Sequence, residues 1–501
     1  MRNRSQRSDD VPHPPTESPA GGARTFLRVL RGRVGTLGRN TLYVGVGQFI
    51  HLVLAILLTP VAARVLGDSD FGRYSLASTL MYFVFLFSDL GLNTWITREG
   101  ARDASALGRL FPSALALKLL LLPVLLCLLW LGTRAGGLDP RSAQAVWIFG
   151  LYGAASSLWQ LALAVFRGRE AMQYEPLLFA LEKLLITAAA LAVFFVLRRG
   201  LLSFVLTFPL AGVVTLTVAL VILHARFLRL RLSFRPNEWK AMVRLAFPFG
   251  FSALLATVYN KLDVVLLTAM TTPAVVGWYS AAYKLLTVTN LIPTVITTAT
   301  FPRFAALQKS DRSQLNRVFW DGIRILLAIC VPMVIMGTTL ARPITLFLFG
   351  AQYERTAPAI QILIWACGIV FFNIYLTGFL GALGLQGHVV RFQVAATVLN
   401  VATNLLLIPR WQHLGSAAAT VATEGLMFVL QFRLSLRQLP GVENLKIGWA
   451  IAFASASLGA TLLLTTRWGW NILPVLVAGG IVYCVAFGLA GGRKAFGLLL
   501  S

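Results

Sequence analysis

Long apolar runs dominate the chain, and short polar segments separate them. Each run is about 20 residues long, which is the length that an α-helix needs to cross a bilayer. The pattern therefore predicts an all-α polytopic membrane protein with about fourteen transmembrane helices. The runs are approximately 41–64, 74–97, 110–132, 144–166, 176–197, 201–224, 245–270, 276–300, 323–346, 358–383, 390–409, 414–436, 447–466 and 471–491.

Composition agrees with this prediction. Of the 501 residues, 57% are hydrophobic and 13% are charged, and the mean hydropathy is +0.74. Soluble domains are about half apolar and about a quarter charged, so an ordinary soluble protein is excluded. The four cysteines lie inside apolar runs, and the five histidines lack metal-ligand spacing. We therefore expect no disulfide framework, no metal site and no cofactor.

The chain carries a net charge of +25, which in a soluble protein would suggest nucleic acid as a partner. Here most basic residues lie between apolar runs, where they orient helices and meet anionic lipid heads, so we expect a lipid bilayer and no nucleic acid. With the N-terminus in the cytoplasm, and with arginines at span ends counted in the adjoining loops, inner segments hold 30 Lys and Arg and outer loops hold 10, and four lysines remain inside the spans. This bias predicts that both termini are cytoplasmic.

A short sequence motif recurs at the entrance to two predicted spans. Gly72-Arg-Tyr-Ser-Leu-Ala enters the second span, and Gly277-Trp-Tyr-Ser-Ala-Ala enters the eighth. Six spans separate the copies, which predicts two six-helix lobes as parallel repeats with a site between them. The predicted divisions are a basic, partly disordered segment (1–39), an N-lobe (40–235), a C-lobe (236–440) and two further helices with a short cytoplasmic tail (441–501).

Several motifs resemble those of the polysaccharide (Wzx-like) flippases of the multidrug/oligosaccharidyl-lipid/polysaccharide exporter superfamily. They extend from about residue 40 to residue 440. They are Leu57-Leu-Thr-Pro-Val-Ala-Ala-Arg-Val-Leu-Gly67, Phe71-Gly-Arg-Tyr74, Asp89-Leu-Gly-Leu92, Asn260-Lys-Leu-Asp263, Gly277-Trp-Tyr-Ser-Ala-Ala-Tyr-Lys-Leu285, Ala299-Thr-Phe-Pro-Arg303, Gly381-Ala-Leu-Gly384 and Gly415-Ser-Ala-Ala-Ala-Thr420.

The resemblance implies a flippase that moves a prenyl-pyrophosphate-linked oligosaccharide from the inner to the outer leaflet by alternating access. The product would feed the synthesis of O-antigen, capsule or exopolysaccharide at a bacterial cytoplasmic membrane. A polysaccharide polymerase and chain-length machinery are then candidate partners. A peptidoglycan-precursor flippase and a cation-coupled drug antiporter of the same superfamily remain open alternatives. The sequence leaves open the glycan, the prenyl carrier, the driving ion and the oligomeric state.

Ionisable groups inside a membrane usually face a cavity or a partner, and eight residues of the predicted spans are good candidates for such a role. Residue counts along the helices place them in two tiers, each with two lysines and two acids. The inner tier comprises Asp89, Lys118, Glu182 and Lys183, and the outer tier comprises Lys261, Asp263, Lys284 and Glu424. The lysines are candidate ligands for the pyrophosphate headgroup, and the acids are candidates for ion coupling or ion pairing. Buried salt bridges that only hold helices together are the alternative.

Two further expectations concern the second lobe. Asp263 and Lys284 lie at similar depth on consecutive spans, which predicts an ion pair between them in the empty protein. Pro293 and Pro332 fall inside spans and are hinge candidates, because proline kinks a helix.

An enzyme, such as a membrane glycan polymerase or ligase, is the main alternative outside the transporters. Such chemistry needs a placed acid/base pair or an activated nucleophile, and a polymerase usually has a large outer loop. The longest outer loop predicted here has about a dozen residues, and the chain has no glycine-rich phosphate-binding loop. We therefore expect a transporter and no enzyme.

The predicted orientation can be tested with single cysteines and a membrane-impermeant maleimide. Cysteines at positions 69, 136 and 272 should be labelled from outside, because they fall in predicted outer loops. Cysteines at positions 105, 236 and 310 should stay unlabelled in intact cells and react after the membrane is permeabilised. Labelling of position 236 from outside would contradict the division into two six-helix lobes.

Overall fold

A computed structural model describes the fold at residues 19–441, 448–467 and 471–492. The described chain is helical throughout and contains no β-strand. A π-helical segment extends α5, another follows α15, and a 3-10 segment precedes α12. The α-helices are α1 (Pro19–Asp89), α2 (Leu92–Arg102), α3 (Leu107–Ala135), α4 (Pro140–Gly168), α5 (Tyr174–Leu191), α6 (Leu201–Arg226), α7 (Pro236–Met270), α8 (Pro273–Thr289), α9 (Leu291–Ser310), α10 (Arg312–Thr339), α11 (Ala341–Phe349), α12 (Ala357–Ala382), α13 (Gln386–Leu436), α14 (Gly448–Arg467) and α15 (Ile472–Phe487).

The helices have the length and apolar composition of membrane spans, so the predicted all-α, multi-pass membrane architecture is confirmed. In the described part, eleven helices could each cross a bilayer, or twelve if α1 and α2, bent by 45°, are counted as one span. Two of the longest helices are interrupted, α1 at Gly67 (φ 80°) and α13 at Gln412 (φ 49°). Both interruptions fall in links predicted between consecutive spans. The count of fourteen and the division into lobes stay predictions.

Local backbone chemistry explains two further breaks. Leu90 and Gly91 have positive φ values of 47° and 83°, and they separate α1 from α2. The hinge candidate Pro293 lies one turn into α9. It has no N–H to donate to the carbonyl group of Thr289, where α8 ends, so the proline favours a helix boundary there. The other candidate, Pro332, lies inside α10, which continues past it to Thr339.

In the N-terminal segment 1–39, the described backbone is helical from Pro19 onward and continues as α1 into the first apolar run. The partial disorder of this segment stays a prediction. Residues 1–18 lie outside the described residues, as do 442–447, 468–470 and the predicted cytoplasmic tail from 493 onward.

Buried apolar side chains form four clusters. The largest joins α7–α13 and also takes in Ala63 and Phe71 of α1. Two clusters lie mainly among α1–α6. The fourth packs α14 and α15 against α10, where the Tyr483 hydroxyl donates to the Ala328 carbonyl at 2.9 Å. The last two helices are therefore attached to the second half of the chain.

Glycines bring opposite halves of the chain into backbone contact. A Cβ at Gly72 would lie 1.8 Å from the Pro273 carbonyl oxygen, and one at Gly277 would lie 2.0 Å from the Asp68 carbonyl oxygen. These contacts lie next to the interruption of α1 at Gly67, and we call this the Gly67 end. At the other end of the same segment of α1, a Cβ at Gly91 would lie 2.4 Å from the Gly250 nitrogen; we call this the Gly91 end. The two ends enclose the space between the halves.

One helix cap near the Gly67 end gives a pH-dependent prediction. The Asp139 carboxylate caps α4 by accepting from the Ser142 amide at 2.7 Å, and it also accepts from Arg73 Nε at 3.2 Å. Burial alone would raise the pKa of Asp139, but these hydrogen bonds and the arginine charge outweigh it and lower the pKa below its ordinary value. The ionised carboxylate therefore stabilises the folded state above the unfolded pKa, and this contribution disappears as the pH falls through the lowered value.

We expect Asp139→Ala to lower the free energy of unfolding by about 1 kcal/mol near neutral pH, the usual cost of losing an N-cap. Thermal unfolding in detergent should show this difference shrinking below pH 4, because the carboxyl group of the parent protein is then progressively protonated. Asp139→Asn is the control that keeps a capping oxygen without the charge. A destabilisation by Asp139→Ala that is independent of pH would contradict the assignment.

Candidate functional site

A cavity lies between the two halves of the chain, at the level of the predicted intramembrane charges. It is about 240 Å³ in volume, and α1, α4, α5 and α6 form one wall and α7 and α8 the other. Three of the four candidate lysines, Lys183, Lys261 and Lys284, line it. The described lining contains no Asp or Glu, but it contains tyrosine, serine and threonine hydroxyl groups. The cavity thus offers several cations and neutral hydroxyl groups to a ligand.

Two of these lysines lie against tyrosines from the other half of the chain. Lys261 Nζ is 5.1 Å from the centre of the Tyr82 ring. Lys284 Nζ is 4.9 Å from the centre of the Tyr74 ring and 3.3 Å from its hydroxyl oxygen. Among the described residues, no carboxylate oxygen lies within 4.0 Å of any of the three lysine Nζ atoms in the cavity. Their positive charges are therefore not neutralised by direct ion pairs.

The two acids of the second half are held by neutral donors. Tyr279 donates its hydroxyl hydrogen to the Asp263 carboxylate. Glu424 accepts from the Tyr259 hydroxyl at 2.7 Å and from the Asn373 amide at 2.7 Å. The predicted ion pair between Asp263 and Lys284 is therefore wrong for this conformation. Two side chains at equal depth on neighbouring helices need not point at each other. Here the Asp263 carboxylate is hydrogen-bonded to Tyr279 instead.

The fourth lysine is a structural residue in this conformation. Lys118 is fully buried, and its Nζ lies 2.9 Å from the Asp89 carboxylate. It also donates to Asn93 Oδ1 at 3.2 Å and to Ser157 Oγ at 3.0 Å, which occupies all three of its N–H groups. The Asp89 carboxylate also accepts from the backbone N–H of Asn93 at 3.2 Å. This cluster fixes the break between α1 and α2 against α3 and α4.

Glu182 is buried next to Lys183 but does not line the cavity. Its side chain faces Tyr152 and Trp159 of α4. Lys183, which was predicted to lie in the inner tier, lines the same cavity as Lys261 and Lys284 of the predicted outer tier, and the separation into tiers stays a prediction. Residue counts give the depth of a Cα atom, whereas a long lysine side chain near the middle of a helix can reach groups at either level.

A second cavity, almost entirely apolar, lies between α8, α10, α11, α12 and α15. Its volume is about 580 Å³. The hinge candidate Pro332 lines it, together with Met333, Tyr483 and Cys484. Leu285, the residue that follows Lys284 on α8, lines it as well. Helix α8 therefore separates a cationic cavity from an apolar one.

Tyr74 and Tyr82 were not among the residues that the sequence singled out as ligands. Tyr74 belongs to the repeated motif, but its counterpart Tyr279 contacts Asp263 of its own half, whereas Tyr74 contacts Lys284 of the other half. The repeated motif could have identified Tyr74 as a structurally important residue. No comparable pattern marks Tyr82.

The family is decided by comparison with known sequences. The profile of the family described as "Polysaccharide biosynthesis protein" matches residues 37–308, which is more than half of the chain. The chain belongs to this family. The resemblance seen in the motifs is thereby confirmed.

Two sequence relatives come from Haloferax volcanii. The "Probable low-salt glycan biosynthesis flippase Agl15" is 21% identical, over 88% of this chain and 93% of its own length. The "Probable flippase AglR" is 28% identical over 48% of this chain, and the match spans about half of its length (50%). Both are named as flippases, which agrees with the expectation of a transporter and no enzyme.

Among solved structures, the fold is similar to that of "Lipid II flippase MurJ, inward closed conformation". The TM-score is 0.75 with 12% identity, and the similarity covers 92% of this chain and all of that one. At this identity the likeness defines the fold of this family member and leaves its substrate open.

The Lys118 cluster predicts a large loss of stability when one partner is removed. Lys118→Met should destabilise the protein by about 3–5 kcal/mol, because it leaves the Asp89 carboxylate buried and unpaired. The double variant Lys118→Met/Asp89→Leu should recover much of this loss. Thermal unfolding in detergent measures both, with Lys240→Met on the exposed surface of α7 as the control. A single variant as stable as the parent would contradict the structural role of Lys118.

Proposed function

We propose that the protein moves a prenyl-pyrophosphate-linked oligosaccharide from the inner to the outer leaflet of the cytoplasmic membrane. The observation that carries this proposal is the cavity with three lysines from both halves and no lining carboxylate among the described residues. Uncompensated cations are costly within a membrane, and an anionic ligand would offset that cost. A drug cation would be repelled by the same cavity, so the antiporter alternative is disfavoured.

The chemistry of the cavity suits a pyrophosphate. Lysine ammonium groups bind phosphate as mobile point charges, and they can follow it as the protein changes shape. Lys284 lies close enough to Lys183 and Lys261 for their charges to interact, so one diphosphate could draw on several of them. The hydroxyl groups of Ser75 and Ser280 could serve as additional donors from opposite walls.

The apolar cavity suits the prenyl tail. It begins at Leu285, one residue beyond Lys284, so a lipid could place its headgroup and tail on either side of α8. Its lining is almost wholly aliphatic and thioether groups, which favour a hydrocarbon chain over water. Of the two helices that follow the predicted repeat, α15 contributes here through Tyr483 and Cys484.

Alternating access fits the contacts at both ends of the cavity. At the Gly67 end, Trp278 Nε1 donates to Asp68 at 3.0 Å and Tyr353 donates to the Gly67 carbonyl at 3.0 Å, joining the two halves. At the Gly91 end the halves meet backbone to backbone. Transport would break one set of contacts while the other holds, and the break near Pro293 offers a bending point.

Several features of the proposal rest on prediction alone. The inward-to-outward direction and the cytoplasmic termini follow from the distribution of Lys and Arg. Asp89, Glu182, Asp263 and Glu424 stay candidates for ion coupling, of which Asp263 and Glu424 are the better placed, because neutral groups hold them in this conformation. A polysaccharide polymerase and chain-length proteins stay candidate partners, and the bacterial origin of the membrane stays a prediction.

The test is leaflet transfer of a fluorescent prenyl-pyrophosphate glycan in proteoliposomes. Lys261→Gln and Lys284→Gln should each reduce transfer at least tenfold, while the arginine variants should retain part of it, because the positive charge is kept. Lys240→Gln, on the exposed surface of α7, is the matched control and should transfer at the parental rate. Full transfer by the Lys261→Gln/Lys284→Gln double variant would refute the proposed headgroup site.

Two competing substrates complete the assay. A lipid-linked peptidoglycan precursor tests the alternative flippase function, and a fluorescent drug cation tests the antiporter. Preferential transfer of the precursor would reassign the substrate while keeping the lysine cavity. Transfer of the cation, without transfer of either lipid, would overturn the proposal.

A further inference from the structure

The two tyrosine–lysine contacts connect the halves of the chain inside the cavity. Tyr74 and Tyr82 lie two helical turns apart on α1, whereas Lys261 and Lys284 lie on α7 and α8. Each ammonium group thus reaches across the cavity to an aromatic ring of the opposite half. Lys284 also donates to the Tyr74 hydroxyl at 3.3 Å, so its contact combines a hydrogen bond with the nearby ring.

The Tyr74 ring is held rigidly, so its contact with Lys284 has a defined geometry. Four phenylalanine rings pack within 6 Å of it, between 5.3 and 5.9 Å centre to centre. They are Phe71, Phe149, Phe204 and Phe208. The Tyr82 ring, by contrast, keeps 46% of its surface exposed in the cavity, so its face can be covered or uncovered without repacking the core.

An aromatic ring attracts a cation weakly compared with a phosphate. Cation–π contacts stabilise by about 0.5–1 kcal/mol at accessible sites and about 2 kcal/mol when desolvated. A hydrogen bond between ammonium and phosphate is charge-assisted and stronger. The ring is therefore a partner that satisfies the lysine in the empty cavity and that an arriving anion can replace.

We propose that Tyr82 and Tyr74 are positioning residues. In the empty cavity Tyr82 holds Lys261 and Tyr74 holds Lys284, and the anionic headgroup replaces both tyrosines when it binds. Binding of the headgroup then replaces two contacts between opposite halves. The contact between the halves through the Tyr82 ring, and through the Tyr74 hydroxyl and ring, therefore depends on whether the anion is bound. This inference rests on the proposed function, because it assumes that a diphosphate is the ligand.

The mechanism has a consequence that a purely structural role lacks. If the Tyr82 ring competes with the headgroup for Lys261, removal of the ring must increase the affinity for the anion. Loss of a packing residue, or loss of a direct ligand, would decrease affinity or leave it unchanged. Tyr82 is the better test position, because Tyr74 is part of an aromatic cluster whose disruption could unfold the protein.

The experiment measures binding of inorganic pyrophosphate to the full chain in detergent by isothermal titration. Tyr82→Leu should bind about two- to fivefold more tightly than the parent, the equivalent of an accessible cation–π contact. Tyr82→Phe keeps the aromatic face and should bind as the parent does. In a Lys261→Gln background, the change to leucine should no longer alter affinity, because the cation for which the ring competes is gone.

Thermal unfolding identifies variants that fail to fold, and Tyr82→Phe supplies a folded comparison. Unchanged or weaker binding by folded Tyr82→Leu would overturn the inference, as would equal tightening by Tyr82→Phe. A gain that persists in the Lys261→Gln background would also overturn it, because the ring would then act through another group. If the parent and all variants bind no pyrophosphate, the proposed headgroup site itself is refuted. If the parent binds pyrophosphate but Tyr82→Leu does not bind it more tightly, only the role of the tyrosine is refuted.

Discussion

Close backbone contact between the two halves is the constraint on which the rest of the structure depends. Any side chain at Gly72 or Gly277 would collide with the backbone of the opposite half, and the same holds at Gly91. Small residues let helices approach in a membrane, where packing replaces the hydrophobic effect as the driving force. The halves touch at both ends of the α1 segment between Gly67 and Leu90, and a cavity with polar lining groups lies between them.

The buried charges differ in the groups that surround them. Lys118 and Asp89 neutralise each other in a fully hydrogen-bonded cluster, which holds the bend between α1 and α2. Asp263 and Glu424 are stabilised by tyrosine and asparagine donors. In the cavity, Lys261 lies against the Tyr82 ring, and Lys284 donates to the Tyr74 hydroxyl. An anion is the kind of ligand whose binding this distribution favours.

Helix packing explains why the sequence predicted the wrong partner for Asp263, although it predicted the helical segments correctly. The apolar runs correctly predicted the helices that carry the candidate charges, and these helices are long and apolar enough to span a membrane. They could not predict that Tyr279 would take the Asp263 carboxylate, or that Lys183 would join Lys261 and Lys284 in one cavity. The direction of a side chain depends on the rotation and tilt of its helix, which neighbouring helices set through packing.

The sequence by itself determined the all-helical membrane class, most of the apolar segments, the family resemblance and the identity of the ionisable residues in the spans. These follow from local properties, because about 20 apolar residues suffice to define a span and an intramembrane charge is rare enough to notice. Only the tertiary structure decided which of those charges are structural and which face the cavity. Lys284 meets Tyr74 across a separation of 210 residues, and Trp278 meets Asp68 across the same separation. Such pairs exist because helices from distant parts of the chain pack together, and hydropathy carries no information about which helices do so.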